Sequence, residues 1–266
     1  MARQPKSGMR VAEIIASTPA GEVSVHRPFV ARDAAGGRDL QGLAAISRAA
    51  LKRTLDIVVA AVFLLVLAPA MFLIAIAIVL ESPGPLFYRA DRVGRGGRPL
   101  RMLKFRKMHR DAAGARLTVA GDARLTRVGA ILARTRLDEL PQMWHVLRGD
   151  MSLVGPRPED PEFVRACEAE FERILAVRPG VTGLSQLAYA GERAILAVDD
   201  PVPFYVERIL PQKCRLDALY AQQRSLRMDV AIIAWTAVAL VAGRSVAVDR
   251  RTGRLGLRRR REGRRA

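Results

Sequence analysis

Two adjacent carboxylates, Asp138 and Glu139, open the most informative stretch of the chain, Arg136-Leu137-Asp138-Glu139-Leu140-Pro141-Gln142. An ionised aspartate can act as a nucleophile on phosphorus, or it can hold a divalent metal that bridges phosphates. The surroundings favour ionisation. Arg124, Arg127, Arg134 and Arg136 precede the pair and Arg148 and Arg157 follow it, and nearby opposite charge lowers a carboxyl pKa. Neighbouring side chains on a helix start point in different directions, so one acid can attack while the other positions a metal. The stretch does not say which does which. The same residues also make a well-formed helix start, since proline suits the first turn and acids there suit the dipole.

Three cationic segments surround this pair in sequence. Gly155-Pro156-Arg157-Pro158 presents Arg157 from a loop whose prolines limit its freedom, and a guanidinium fork matches phosphate oxygens in bidentate geometry. Lys104-Phe105-Arg106 places two cations on one face if it is a strand. Arg178-Pro179-Gly180-Val181-Thr182-Gly183 is a turn whose backbone N–H groups can gather toward an anion.

The elements that position these groups follow from the hydropathy pattern. Residues 1 to about 45 lack periodicity and read as a mostly disordered extension. The apolar stretch begins only after residue 53, too late for a cleaved signal peptide. Thr54–Leu80 is apolar with one charge, Asp56, near its start; as a helix it is about 40 Å long, enough for a bilayer core of roughly 30 Å. Pro69 sits at its middle, and both flanks are basic: Arg48, Lys52 and Arg53 before, Arg89, Arg92, Arg95 and Arg98 after. Basic flanks favour the cytoplasmic side, so either a kinked spanning helix or a segment that re-enters at Pro69 fits these facts. Ser82-Pro83-Gly84-Pro85 is then a turn cluster, and Gly94, Gly96 and Gly97 mark a hairpin turn in a basic segment at headgroup level.

Farther on, residues 110–150 read as mainly helical with a break near Gly121, 151–158 as a short strand and rigid loop, and Glu162–Val177 as a helix. Residues 178–193 are turn-rich, 205–225 form a polar helix, and Met228–Ala242 is an apolar run too short to span, hence buried or interfacial. The last 17 residues hold nine arginines and one glutamate and read as a disordered tail for anionic headgroups.

Composition narrows the classes. A formal charge of +18 calls for an anionic partner: nucleic acid, lipid surface or phosphate-rich substrate. Two cysteines without CxxC spacing and three scattered histidines support neither a disulfide scaffold nor a zinc cluster, and neither a Walker loop nor GxGxxG occurs.

Taken together, the motifs resemble the bacterial sugar transferases, the monotopic polyprenyl-phosphate phosphoglycosyltransferases. The matching pieces are Lys52-Arg53-Thr54-Leu55-Asp56, Ser82-Pro83-Gly84-Pro85, Arg92-Val93-Gly94, Lys104-Phe105-Arg106, Leu137 to Gln142 as LDELPQ, Arg148 through Pro158, and Pro179 through Leu184. They occur in order over roughly residues 50–245 and are closest through residue 186. The resemblance implies a helix-rich α+β fold with a re-entrant membrane hairpin over 48–81 broken at Pro69, a catalytic domain over 82–245 with interfacial helices and a small sheet, and an Arg-rich tail over 246–266 behind an extension over 1–47. It implies that Asp138 attacks the sugar-bearing phosphorus of a UDP-sugar, releasing UMP, and that polyprenyl (undecaprenyl) phosphate then takes the phosphosugar, initiating exopolysaccharide, lipopolysaccharide or another surface glycan. Mg²⁺ is the implied metal, held at Asp138 and Glu139. Lys104, Arg106 and Arg157 fall where phosphate-binding cations are expected, and Asp217 matches a further acid less closely. The implied setting is the cytoplasmic face of the bacterial inner membrane, among anionic lipids, with no nucleic acid and compatible with a homodimer. The resemblance is to the small form of the family, in which no large multi-span domain is expected before the match. The contacts that choose the sugar are expected after residue 186.

The sequence departs from the pattern at four places: Ala68 where serine is common, Ala133 where arginine is usual, Lys107 for threonine and His145 for asparagine. Arg134 or Arg136 are the cations that could offset Ala133. Two other classes compete: a non-catalytic basic, membrane-tethered module for anionic lipid or nucleic acid, and a catalytically dead scaffold. The scarcity of aromatics argues against base stacking, and neither class explains LDELPQ followed by GPRP.

Overall fold

The computed structural model describes residues 40–110, 112 and 117–257, with side chains from residue 47 onward. The first 39 residues and the last nine, to which an extension and part of the Arg-rich tail were assigned, lie outside the described residues. The fold is helix-rich with small sheets, as expected, although among the described residues the one small sheet is replaced by three two-stranded ones.

Helix α1 spans Leu40–Glu81, so the chain is already helical several residues before the anticipated anchor, and it continues through Pro69. One narrow stripe of this helix is covered: Asp56, Ala60, Leu64, Leu67, Met71, Ile74 and Ile78, at steps of three and four residues. The other faces expose Val58, Val62, Leu65, Val66, Phe72, Leu73 and Leu80. Only 6% of its most apolar stretch is buried. At about 25 cal/mol per Å², such apolar area is untenable in water and marks a lipid-facing surface. The chain is therefore membrane-associated.

The start of α1 is tied to the globular part by a polar cluster. Asp56 accepts from Ser152 Oγ at 2.7 Å and from the Leu153 N–H at 3.3 Å. Lys52 reaches Asp229 at 2.8 Å, and Tyr220 donates to the same carboxylate at 2.6 Å. Arg53 donates to the carbonyls of Val146 and Leu147, and Arg178 to that of Gly149. Those carbonyls lie at and just past the end of helix α3 (Met143–Arg148), where intrahelical donors run out. The far end of α1 is tied as well: Glu81 accepts from the N–H groups of Arg127 and Val128 at 2.7 and 2.8 Å, capping helix α2 (Arg127–Thr135). Burial works against ionised Glu81, and these backbone bonds outweigh it and hold its pKa low.

Between these anchors, β1 (Phe87–Val93) and β2 (Pro99–Phe105) pair antiparallel around the predicted glycine turn. β3 (Ser152–Val154) and β4 (Gly180–Thr182) pair in parallel. A Cβ at Gly155 or Gly180 would collide with the other strand's backbone, so both positions require glycine for the close approach.

Several sequence-based expectations need correction. Helix does not fill 110–150: the described residues before Arg127 are turns, with Gly121 at φ 72°. The helix expected over 162–177 is two, α4 (Pro161–Ala166) and α5 (Glu168–Ile174), broken where Cys167 leaves helical geometry at φ −136°. After α6 (Leu184–Ala188), α7 (Glu192–Ile195) and α8 (Pro201–Phe204), a π-turn leads into α9 (Leu210–Gln223). Helix α10 (Leu226–Val241) exposes Val230, Ile233, Val238, Leu240 and Val241. Residues 246–257, expected in the tail, fold as the hairpin β5 (Val246–Val248) with β6 (Leu255–Leu257).

Candidate active site

Asp138 and Glu139 are carried on a tight 3₁₀ turn, Leu137–Gln142, rather than on a regular helix start. Thr126 caps α2, its hydroxyl accepting from the Gly129 N–H at 2.9 Å. A side chain at Gly129 would collide with the Lys107 backbone, and the Lys107 carbonyl accepts from the Thr126 N–H. This contact brings Lys107 to the α2 start. At the other end, Arg136 takes a left-handed conformation, φ 60°, alone among the described non-glycine residues. That reversal turns the chain from α2 into the 3₁₀ turn and buries Asp138, Leu140, Pro141 and Gln142.

The carboxylates meet different partners. Asp138 Oδ2 lies 3.1 Å from Lys107 Nζ. Glu139 Oε1 lies 2.9 Å from Lys104 Nζ and 3.5 Å from Arg157. Burial opposes ionised Glu139, but the charges of Lys104, Arg157 and Arg136 outweigh it and hold the group well below the usual carboxylate range. Burial lowers Lys104 more than Glu139 raises it; with ionised Glu139 at 2.9 Å, we describe the two as an ion pair. Arg157 is half-buried, and burial works against its charge, yet Glu139, Glu159 and Glu192 raise its pKa above its ordinary value.

These groups line one cleft with Arg92, Arg136, Arg193, Glu159, Asp160, Glu192, Tyr205 and Lys213. Its far wall is a second network: Lys213 lies 2.9 Å from Glu159, 3.3 Å from Glu192 and 2.8 Å from the Tyr205 hydroxyl, which donates to Glu159 at 2.9 Å. Seven cations and five carboxylates line the cleft, leaving it positive.

The structure brings Lys104, Asp138, Glu139 and Arg157 together. Two other predicted residues stand apart from the cleft. Arg106 donates to the carbonyls of Ser82 and Pro83, bracing the turn that leaves α1. Asp217 is buried near the Ser185 hydroxyl and the Arg157 backbone N–H; burial pushes its carboxyl up to about 7, and Oδ1 lacks a hydrogen bond. Of the arginines that could offset Ala133, Arg136 lines the cleft, whereas Arg134 is exposed. Lys107, noticed only as a departure, is the partner of Asp138. His145, another departure, accepts from the Leu103 N–H at 3.1 Å and faces Asp150 at 3.3 Å, tying α3 to β2. Arg193, Glu192 and Lys213 were missed because no local pattern marks them; each reaches the cleft from a helix beyond the tight motifs.

Among the described residues no group of three or more His, Cys, Asp or Glu side chains gathers as a metal cage. Mg²⁺ seldom needs one, being commonly held by one or two carboxylates together with substrate phosphates. Two adjacent carboxylates in a cationic cleft fit that habit.

A lipid-facing helix tied at two points to a domain that bears a cationic, carboxylate-lined cleft fits a membrane-associated enzyme. The family model described as bacterial sugar transferase matches residues 47–243, and the chain belongs to that family of transferases. It is 41% identical over 195 residues to a UDP-glucose:undecaprenyl-phosphate glucose-1-phosphate transferase of Caulobacter vibrioides, covering 71% of this chain and 69% of that protein. It is 37% identical to a UDP-N-acetylgalactosamine-undecaprenyl-phosphate N-acetylgalactosaminephosphotransferase of Aeromonas hydrophila, covering 73% of this chain but 44% of the relative. It is 38% identical to the exopolysaccharide production protein PSS of Rhizobium leguminosarum bv. phaseoli, covering 71% of this chain and 94% of that one.

Proposed function

We propose that this protein transfers a sugar-1-phosphate from a UDP-sugar to polyprenyl phosphate through a covalent aspartyl phosphosugar, initiating a surface glycan such as an exopolysaccharide. The observation that carries this reading is the unequal engagement of the two acids. Glu139 is clamped by Lys104 and Arg157, while Asp138 has one lysine, Lys107. Asp138 is the acid free to form a bond. Its carboxylate oxygen attacks the sugar-bearing phosphorus, the bond to UMP breaks, and UMP leaves with that electron pair. An oxygen of the lipid phosphate then attacks the same phosphorus and restores Asp138. Lys104 and Arg157 hold the transferring phosphoryl oxygens, and Lys107 steadies the aspartate. Asp138 and Glu139 would hold Mg²⁺, whose charge offsets that developing on the leaving phosphate. The test is UMP release by purified protein supplied with Mg²⁺, polyprenyl phosphate and a panel of UDP-sugars. We expect release with at least one donor and a loss of about 1,000-fold or more in Asp138→Asn; equal release by the variant rules out the covalent route.

The membrane arrangement that suits this reaction is re-entry from the cytoplasmic face of the inner membrane. Asp56 and Glu81 are both bonded to the same globular part. A straight helix would separate them by about 37 Å, beyond a bilayer core of roughly 30 Å, so a spanning segment would carry one anchor to the far side. Bending at Pro69 keeps both on one side and sets the cleft at headgroup height. Cysteines introduced as Arg48→Cys and Ser82→Cys should both react with an impermeant thiol reagent from the cytoplasmic side only; opposite sidedness would show a spanning helix.

A further inference from the structure

Arg136 and Arg193 clasp two segments reciprocally. Arg136, at the end of α2, donates to the Ala190 carbonyl at 3.0 Å. Arg193, on α7, donates back to the Ala133 carbonyl. Residues 133–136 and 190–193 are thus held together by two guanidinium groups that both line the cleft. A guanidinium has five N–H donors, and one bond to a neutral carbonyl leaves most of them unused. Lys104, Lys107, Arg157 and Lys213 each have a carboxylate within ion-pair distance; among the described residues Arg136 and Arg193 have none.

Holding these two cations close is unfavourable. Burial lowers the Arg136 pKa; Glu139 and, more weakly, Asp138 pull it up, and the charges of Arg157 and Arg193 push it down. Its left-handed backbone is strained for an L-residue in a way that glycine would not be. Two neighbouring cations, one on a strained backbone and neither with a carboxylate in ion-pair contact, are what an anion in the cleft would complete.

We infer that Arg136 and Arg193 form a second phosphate-binding subsite, distinct from the one built by Lys104 and Arg157. The inference rests on the proposed transfer, which brings two phosphates besides the one transferred: the nucleotide phosphate that departs in UMP and the phosphate of the lipid acceptor. Both present the same oxygens to a guanidinium fork. The subsite uses a residue from each side of the clasp, so occupancy draws α7 and the start of the 3₁₀ turn around the anion.

Arg136→Gln and Arg193→Gln test this, because glutamine keeps an N–H for the carbonyl but removes the charge. Binding of UDP and, separately, of farnesyl phosphate to the full chain in detergent is measured by calorimetry, with the thermal midpoint as a fold control. Each variant should weaken one of the probes by at least about 10-fold, the loss of roughly one charge-assisted hydrogen bond, and flatten its salt dependence. Arg136→Lys and Arg193→Lys should recover most of the loss. Weakened UDP assigns the subsite to the donor; weakened farnesyl phosphate assigns it to the acceptor. Binding of both probes within twofold of wild type overturns the inference, as does a lysine variant no better than the glutamine one, or a wild type that binds neither probe. Binding without UMP release would break the proposed transfer and leave the subsite standing.

Discussion

The chain contains two polar clusters of similar make-up that do different things. At the root of α1, Lys52, Arg53 and Arg178 face Asp56 and Asp229, and each is engaged by fixed protein groups, among them Ser152, Tyr220, a backbone N–H and carbonyls at the end of α3. In the cleft, the cations outnumber the carboxylates, Asp138 holds a single lysine, and two arginines have only neutral carbonyls. Buried polar groups are costly unless satisfied. A cluster that satisfies itself is architecture. One left with surplus charge is completed by a ligand of opposite sign. The first sets the membrane helix against the domain, and the second is the cluster proposed to accept phosphates.

The largest expected effects separate the clusters. Asp138→Asn should abolish UMP release, by about 1,000-fold or more, with little change in unfolding midpoint, because the exchange removes a reacting charge in a site that already carries excess cations. A large stability loss there would erase the distinction. Asp56→Ala should do the reverse: it strips partners from Ser152, the Leu153 N–H and Lys52, costing about 3 kcal/mol of stability in denaturant titration, while protein that remains folded keeps its UMP release per molecule. The smallest effect concerns Asp217. Its folded pKa is pushed up to about 7, above its ordinary value of 3.8. The folded state therefore holds its proton where the unfolded chain has released it, so this group makes stability fall as pH rises from about 4 to about 7. Asp217→Asn should remove that slope, leaving the variant relatively more stable at pH 8 than at pH 4; an unchanged pH profile would show that Asp217 does not titrate there.

The legible parts were those that local chemistry dictates. The apolar run ending in Ser82-Pro83-Gly84-Pro85, the glycine turn between β1 and β2, and the rigid Gly155-Pro156-Arg157-Pro158 loop each carry their conformation in their residue types. LDELPQ also named the two acids. The failures lay where tertiary contacts override local preference. Arg106 shares a segment with Lys104, but strand β2 ends at Phe105, and the next side chain turns back to brace the α1 exit. The single helix expected over 162–177 breaks at Cys167 although neighbouring residues favour helix. The arginines of the apparent tail begin inside a folded hairpin.

The sequence by itself determined that this protein has a lipid-facing helix, a strongly basic domain and a carboxylate pair set among cations, because hydropathy, charge and motif order are properties of the chain. Only the tertiary structure decided which cation meets which acid. Lys107 beside Asp138, Lys104 and Arg157 beside Glu139, and Arg193 across from Arg136 are pairings between segments up to tens of residues apart. Coulomb energy and hydrogen bonding depend on distance in space, which packing sets and spacing along the chain does not.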